Sequence, residues 1–270
     1  MPELPEVERG RRIAEAACLG KTIESVFAAE DDIVYDGVAP ERFAEVLEGR
    51  TVEAVRRRGK QLWMELDRAP HPLFHFGMTG DFRAYADPAD RHKYCKVELV
   101  MADGTRLGMK NPRRLGRLRL REEPEHEPPI SDLGWDPYAD PPTPKEFVEL
   151  LAKRKAPLKA LLLDQKVLAG VGNWIADEAL YQAKLRPDRR ASDLSAAESK
   201  RLLTRTVRVV AKAVEVDADK RKFPRTWLFH QRWKLREDNK GHDVRDAKGD
   251  RIEFLKVGGR TTAWAPARQS

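Results

Sequence analysis

The chain contains few cysteines and no long apolar segment. Its only cysteines are Cys18 and Cys95, too few for a disulfide framework or for a zinc site built from thiolates. No apolar run approaches the roughly 18 residues that a membrane-spanning helix needs, and the N-terminus has no apolar signal core. We therefore expect a protein without a membrane partner, in a reducing, cytoplasmic setting.

A moderate excess of positive charge is present instead. The 270 residues include 51 Lys plus Arg against 44 Asp plus Glu, which gives a net charge of +7 and a pI near 9.4. This length suits two domains of ordinary size. The positive charge favours a polyanionic partner such as nucleic acid, because neutralising phosphates releases condensed counterions.

The N-terminus begins Met1-Pro2-Glu3, and removal of Met1 would leave Pro2 with a free secondary amine. A chain-terminal amine loses its proton about two to three pH units below a lysine amine, so it is a better nucleophile at neutral pH. Attack at a sugar C1′ would eject a base and leave an iminium, and Glu3 could exchange protons with the sugar. The alternative interpretation is a frayed chain end without a chemical role.

The N-terminal half has the patterns of an α+β fold rich in short strands. The spacing of apolar residues predicts a helix over 5–18. Short β-rich runs follow at 25–28, 51–55, 61–66 and 73–76, and Asp103-Gly104 predicts a hairpin turn between 97–101 and 105–109. Several short strands flanked by helices predict a sandwich of antiparallel sheets.

The C-terminal half has mainly helical patterns. Residues 122–142 are rich in proline and acid, which predicts a linker between domains at 1–121 and 143–270. Capping boxes begin at Thr143 and Ser195. We expect helices at about 144–154, 157–165 and 171–183, a longer one after Ser195, and strands again after Pro224, the last two around Gly258-Gly259.

The glycines of Gly170-Val171-Gly172-Asn173 lie between two predicted helices. They would let the backbone approach a phosphate at a helix N-terminus, with Asn173 adding a side-chain donor. A tight helical corner that needs glycine for its backbone conformation is the alternative. The stretch Leu168–Gly172 also suits a helix–hairpin–helix motif.

Taken in order, these segments resemble the formamidopyrimidine-DNA glycosylase/endonuclease VIII family. The resemblance starts at Pro2 and extends to about residue 266. It implies an N-terminal catalytic β-sandwich domain with flanking helices, then a helix–two-turn–helix domain that ends in a β-hairpin at about 224–270. The matching segments are Pro2-Glu3, Arg58-Gly59-Lys60, His75-Phe76-Gly77-Met78-Thr79-Gly80, Asn111-Pro112-Arg113-Arg114, Gly170-Val171-Gly172-Asn173 and Gly258-Gly259-Arg260-Thr261-Thr262.

The family resemblance implies roles for individual residues. Pro2 would be the Schiff-base nucleophile and Glu3 its acid/base partner, while Lys60 and Arg260 would bind phosphates and assist elimination. Asn173 would hold a backbone phosphate at the lesion. Further DNA contacts are predicted for Glu6, Lys155 and Lys159, and Glu178 is predicted to be an internal support.

Base flipping would require residues that fill the gap left in the duplex. Family members use a methionine, an arginine and usually a phenylalanine. The matching residues are Met78, Arg113 and Leu115, so a leucine stands at the aromatic position. We therefore expect weaker selectivity for the base opposite the lesion.

The C-terminal finger departs from the four-cysteine zinc finger that is common in the family. Glu237, Lys240, Ala265 and Arg268 stand at the cysteine positions, so no tetrahedral thiolate zinc can form. The pattern resembles the zincless finger of plant and fungal relatives, and no metal or other cofactor is predicted. We expect its fold to depend on packing by Ile252, Phe254, Leu255 and Trp264.

The sequence as a whole predicts a bifunctional DNA glycosylase and abasic-site lyase of base excision repair. It would act as a monomer on damaged double-stranded DNA, in a bacterial nucleoid or a eukaryotic nucleus. The resemblance implies formamidopyrimidines, hydantoins and abasic sites as substrates, with 8-oxoguanine less favoured because the segment 216–224 is short. The alternatives are a helix–hairpin–helix glycosylase and a non-catalytic binder of damaged DNA.

Overall fold

The structure is a computed structural model that describes residues 2–233 and 243–270. The chain divides into two compact units, Met1–Leu133 and Gly134–Ser270. The boundary lies within the segment 122–142 that the sequence predicts as a linker. Among the helices of the described residues, none has the length and apolar character needed to cross a bilayer.

The first unit is a β-sandwich with two helices, which confirms the predicted α+β fold class. The elements are α1 (Leu4–Cys18), β1 (Ile23–Ala28), α2 (Pro40–Leu47), β2 (Val52–Arg58), β3 (Gln61–Leu66), β4 (His71–His75), β5 (Asp81–Tyr85), β6 (Cys95–Met101), β7 (Arg106–Lys110) and β8 (Arg117–Arg121). One antiparallel sheet has the order β1-β6-β7-β5 and the other β2-β3-β4-β8.

The core of this unit lies between the two sheets. Alternate residues of each strand point inward, as the pleat of a sandwich requires. Leu62 and Met64 come from one sheet, and Leu99 and Met109 from the other, and all four are almost fully buried. The rings of Phe43, Phe74, Phe82 and Phe76 form a series of edge-to-face contacts within this core.

The described residues of the second unit form four α-helices and a two-stranded hairpin. The elements are α3 (Pro144–Ala152), α4 (Leu158–Leu163), α5 (Asn173–Ala183), α6 (Ala196–Glu215), β9 (Glu253–Val257) and β10 (Arg260–Trp264). Helix α5 packs against α4, α6 and the hairpin strand β10. The capping boxes at Thr143 and Ser195 are both present, so both predicted helix starts are confirmed.

The structure differs from the expected elements in several places. Helix α2 and strands β5 and β8 were not predicted, and α4 is shorter than the predicted 157–165. After Pro224 the expected β pattern does not begin at once, because Leu228–His230 forms a short 3-10 turn. Within the predicted linker, Trp135 forms a β-bridge with Leu168, which fastens this part of the segment to the second unit.

Packing of the hairpin partly follows the prediction. Ile252 is buried and Phe254 packs beside it, in a cluster with Tyr181, Leu228, Val244, Ala263 and Ala265. Trp264 is also buried, but Leu255 is only half-buried and is not part of the cluster. Leu255 pairs with the buried Thr262 across the ribbon, so it contributes to the packing only in part. The predicted finger positions Glu237 and Lys240 lie outside the described residues.

Candidate active site and nucleic-acid interface

The N-terminal residues form a tight cap on α1. Glu3 is the N-cap residue, and its backbone amide donates to Oε2 of Glu6 at 3.0 Å in a capping box. Glu3 is only 1% exposed, while Pro2, one residue earlier, is half-buried. A carboxylate is favoured at a helix N-terminus, where free amides and the helix dipole stabilise negative charge. The cap therefore fixes Glu3 next to Pro2, and Glu6 supports that geometry.

A buried arginine joins α1 to the turn that presents Lys60. Arg57 Nε donates to Oε2 of Glu8 on α1 at 2.9 Å, and its NH1 donates to the carbonyl of Gly59 at 3.0 Å. The side chains of Arg57 and Glu8 are 2% and 8% exposed. Lys60 follows Gly59 directly, so this bridge fixes the Lys60 turn against α1, the helix that follows Pro2 and Glu3. Arg57 was not among the predicted site residues.

His75, at the end of β4, lies among positive charges. Burial, the largest cause, and the charges of Lys60, Arg119 and Arg117 together lower the pKa of His75 to about 4. The imidazole is therefore neutral at physiological pH. His75 is therefore not a general acid at neutral pH.

The two predicted intercalation loops lie against each other. The side-chain amide of Asn111 donates to the carbonyl of Phe76 at 2.9 Å, and its oxygen accepts from the amide of Gly116 at 3.0 Å. Gly77 has φ +61°, and a Cβ there would be 2.2 Å from the carbonyl oxygen of Leu115. The glycine is thus required by the close approach of the two loops.

This contact brings the three predicted wedge residues onto adjoining loops. Met78 is half-buried, Arg113 is exposed, and Leu115 is 42% exposed despite being a large apolar residue. Exposed leucines are common individually, but this one lies on a loop fixed by Asn111 and Gly77. The arrangement can present an apolar side chain and a guanidinium to a duplex.

An ion-pair cluster that sequence reasoning missed fixes the second loop. Arg114 adopts φ 53°, a conformation that non-glycine residues rarely adopt. Its Nε lies 3.0 Å from both carboxylate oxygens of Asp31, which also pairs with Lys96 at 2.6 Å. Burial alone would raise the pKa of the Asp31 carboxyl, but hydrogen bonds and charges from Arg114 and Lys96 lower it to about 2.

In the second unit, Asn173 is the first residue of α5 and Gly172 is its N-cap. Gln165 builds the preceding turn: it accepts from the amide of Gly170 at 3.0 Å and donates to the carbonyl of Val171 at 2.9 Å. Gly170 has φ 90°, so the glycine is required there. The positive end of the helix dipole at this N-terminus favours a bound anion.

The hairpin turn that precedes Arg260 lies beside this helix N-terminus. The Asn173 side-chain amide donates to the carbonyl of Thr261 at 3.1 Å, one residue after Arg260. A Cβ on Gly258 would be 3.1 Å from the Cβ of Ala160, so the turn packs closely on α4. Arg260 itself is exposed. The structure thus brings the predicted phosphate ligands Asn173 and Arg260 together.

The two predicted lysine contacts differ in their surroundings. Lys155 is exposed to solvent. Lys159 is fully buried, and its Nζ pairs with Oδ1 of Asp177. The expectation of a phosphate contact by Lys159 was wrong, because a buried carboxylate needs this cation. Glu178 is fully buried and accepts from the amide of Phe229 at 2.9 Å, as expected of an internal support.

Family comparisons match the chain along most of its length. The formamidopyrimidine-DNA glycosylase N-terminal domain matches residues 1–118, and the formamidopyrimidine-DNA glycosylase H2TH domain matches residues 133–224. A formamidopyrimidine-DNA glycosylase of Arabidopsis thaliana is 43% identical, over all of this chain and 71% of the relative. One from Pelobacter propionicus is 32% identical over the full length of both chains.

Solved structures give the same result. A complex between the Lactococcus lactis enzyme and DNA containing N7-benzyl-Fapy-dG has a TM-score of 0.84 at 27% identity, covering 100% of both chains. A complex of that enzyme with DNA containing an abasic site has a TM-score of 0.83 at 27% identity, covering 99% of each. A sandwich followed by a helix–two-turn–helix unit defines a class of DNA-repair enzymes. The chain belongs to the formamidopyrimidine-DNA glycosylase family within that class.

Proposed function

We propose that this protein is a bifunctional DNA glycosylase and abasic-site lyase that uses the amine of Pro2 as its nucleophile. The observation that supports this most directly is the buried carboxyl of Glu3, held by the α1 cap immediately beside Pro2. The Arg57 bridge adds Lys60 to the same part of the first unit. A nucleophile, a proton carrier and a phosphate-binding cation are the groups that this chemistry needs.

The reaction begins when the Pro2 nitrogen bonds to C1′ and the bond from C1′ to the base breaks. The base leaves with the electron pair and takes up a proton, and the Pro2 nitrogen gives up its own proton, which restores the lone pair that the next step needs. The bond from C1′ to the ring oxygen then opens, Glu3 protonates that oxygen, and an iminium forms between Pro2 and C1′. The iminium acidifies C2′, and loss of its proton expels the 3′ phosphate. A second elimination expels the 5′ phosphate.

The proposed substrate is damaged double-stranded DNA. In the second unit, the backbone phosphates of the DNA are bound by Asn173, Arg260 and Lys155. In the first unit, the gap left by the flipped base is filled by Met78, Arg113 and Leu115. Glu6 contributes through the cap that holds Glu3. Relatives whose solved complexes contain Fapy-dG or an abasic site support formamidopyrimidines and abasic sites as substrates.

Membership in this family of DNA-repair enzymes supports action as a monomer in base excision repair. Hydantoins are included among the proposed substrates. We expect 8-oxoguanine to be a poorer substrate, because the segment from Val216 to Pro224, where the family places a loop that caps the lesion, is short. The site of action would be the bacterial nucleoid or the nucleus, wherever the genomic DNA of the cell lies.

Borohydride trapping tests the nucleophile. The chain is prepared with a removable N-terminal extension whose cleavage exposes Pro2, and both forms are reduced on an abasic-site duplex. We expect a covalent protein–DNA adduct only after cleavage, since a blocked amine cannot form an iminium. Pro2→Gly should retain duplex binding and lose lyase activity. Binding to an uncleavable abasic analogue controls for interference by the extension.

The outcomes distinguish the alternatives. An adduct of equal yield from the blocked form would assign the nucleophile to an internal lysine, as a helix–hairpin–helix glycosylase requires. Tight binding with no adduct and no strand cleavage from either form would identify a non-catalytic binder of damaged DNA. Either result would reject the proposed mechanism.

A further inference from the structure

Polar side chains on one face of α5 form hydrogen bonds with the C-terminal hairpin region, which comprises strands β9 and β10 and the loop before β9. Asn173, Asp177 and Tyr181 are spaced four residues apart, which places them in one row along the helix. Asn173 donates to Thr261, Asp177 accepts from the amide of Ala263 at 3.4 Å, and Tyr181 donates to Asp246 at 2.6 Å. Three successive helical turns therefore contact the same hairpin region.

Asp177 is the middle contact of this row and is fully buried. Its Oδ2 accepts from Arg232 NH2 at 2.7 Å and Nε at 3.1 Å, and Lys159 pairs with its other oxygen. The Ala263 amide on β10 is therefore one of several donors to a single buried carboxylate. Burying that charge requires all of them.

Asp246 is the third contact and has an equally complete shell. Its Oδ2 accepts from the Tyr181 hydroxyl and from Arg268 Nε, each at 2.6 Å. Its Oδ1 accepts from the amides of Lys248 at 2.8 Å and Asp250 at 2.9 Å. Arg268 also pairs with Asp250. This carboxylate thus joins α5, the loop before β9 and the chain end after β10.

The residues at two of the family's zinc-cysteine positions are part of these contacts. Arg268 is one of them and binds Asp246. Ala265 is the other, and its amide donates to Oε1 of Gln269 at 2.7 Å, while Nε2 of Gln269 donates to Leu185 O at 2.9 Å. The positions that would supply thiolates to a metal supply instead an ion pair and a backbone anchor.

We infer that Tyr181, Asp246 and Arg268 are positioning residues that hold the hairpin so that Arg260 reaches a DNA phosphate, in the place of a zinc ion. Arg260 begins β10 and pairs with Val257 across the ribbon. Strand β10 is bonded to α5 at Thr261 and Ala263, so these contacts also fix the position of Arg260, its first residue. The inference rests on the proposed function, because it assigns these residues to the same phosphate contact.

A double-mutant cycle tests this inference. Arg268→Met and Arg260→Ala are made singly and together, and the Kd for an abasic-analogue duplex is measured over a series of salt concentrations. We expect each single variant to bind about tenfold more weakly and to lose roughly one unit of salt slope. The double variant should bind no more weakly than the weaker single variant, because both changes remove one contact.

Charge loss is separated from positioning by further variants. Tyr181→Phe removes only a hydroxyl that binds Asp246 and changes no charge, yet it should weaken binding and reduce the salt slope. Arg268→Lys keeps a cation beside Asp246 and should restore much of the affinity. Arg208→Met removes an exposed arginine of α6 and serves as the matched control, with affinity and slope unchanged.

The results that overturn the inference are specific. Fully additive losses in the double variant, or an unchanged salt slope for Tyr181→Phe, would mean that these residues stabilise the unit without placing Arg260. Thermal melting of every variant establishes that it is folded when its Kd is measured. If the unaltered chain fails to bind the lesion duplex, the proposed function fails; if it binds and the losses are additive, only this inference fails.

Discussion

At the scale of single residues, the N-terminus combines a structural and a chemical demand on one carboxyl group. Glu3 caps α1 and is almost fully buried, and the residue before it would carry the terminal amine. A buried carboxyl that is already hydrogen-bonded to a helix N-terminus loses little freedom when it exchanges a proton with a sugar. The cap thus preorganises the proposed acid/base partner.

Glu3→Gln should separate these two demands. Glutamine keeps an oxygen that can accept from the helix amides, so folding and duplex binding should change little. It cannot exchange a proton, so base excision should fall by about 10²–10⁴-fold in single-turnover assays. Glu15→Gln, on the same helix, is the matched control. Excision within tenfold of the unaltered chain would remove Glu3 from the proposed chemistry.

Asp31→Asn should reduce the acid sensitivity of the first unit. Because the folded-state pKa of Asp31 is lowered to about 2, its contribution to stability is present above its ordinary pKa and is lost as pH falls from about 4 toward 2. That contribution is on the order of 1–2 kcal/mol. The asparagine variant should be less stable at pH 7, with a flatter acid limb in denaturant titrations. Parallel pH profiles for both proteins would contradict the assignment.

At the scale of elements, the intercalation loops show how rigid support is given to exposed residues. Asn111 and Gly77 fasten the loops to one another, and the Asp31–Arg114 pair fixes the backbone between Arg113 and Leu115. An exposed leucine on a fixed loop can fill a gap in a base stack without reorganising. It offers no ring face for stacking.

Leu115→Phe should therefore tighten binding to a lesion duplex and sharpen discrimination among the bases opposite the lesion. Stacking of an aromatic side chain on a base is worth roughly 1–3 kcal/mol, so a several-fold change in rate ratios is expected. The measurement is single-turnover excision on duplexes that differ only in the opposite base. Leu19→Phe, another exposed leucine in this unit, is the control. Unchanged ratios would place Leu115 outside the duplex.

Elements with strong local signals were predictable from the sequence, and others were not. The capping boxes at Thr143 and Ser195 specify helix starts through local hydrogen bonds. Helix α2 has eight residues and an alanine N-cap, so its local signal is weak and packing on β1 determines it. The role of Lys159 depends on Asp177, which is distant in sequence and becomes its neighbour only in the folded unit.

At the scale of the whole molecule, the chain replaces a metal with its own side chains. With only two cysteines, both buried in the first unit, no thiolate zinc can form in the C-terminal finger. The carboxylates of Asp177 and Asp246 accept from donors on α4, α5, β10, the segment that contains Arg232, and the chain end. Removing one partner of such a buried ion pair leaves an uncompensated charge, which is strongly destabilising. The ion pairs therefore hold the hairpin in a single position on α5.

Activity should therefore withstand strong chelators. Incubation with excess EDTA or phenanthroline should leave the excision rate and the melting temperature unchanged, because metal removal can unfold only a finger that binds metal. In a relative with a four-cysteine finger, treated in parallel, the excision rate and the melting temperature should both fall. High salt, in contrast to chelators, should weaken DNA binding by this chain, because the phosphate contacts are exposed to solvent ions. The buried ion pairs are screened much less, so the fold of the finger should change little. Elemental analysis that finds one zinc per chain, released together with activity, would contradict the assignment of Tyr181, Asp246 and Arg268 as the residues that hold the finger in the place of a metal.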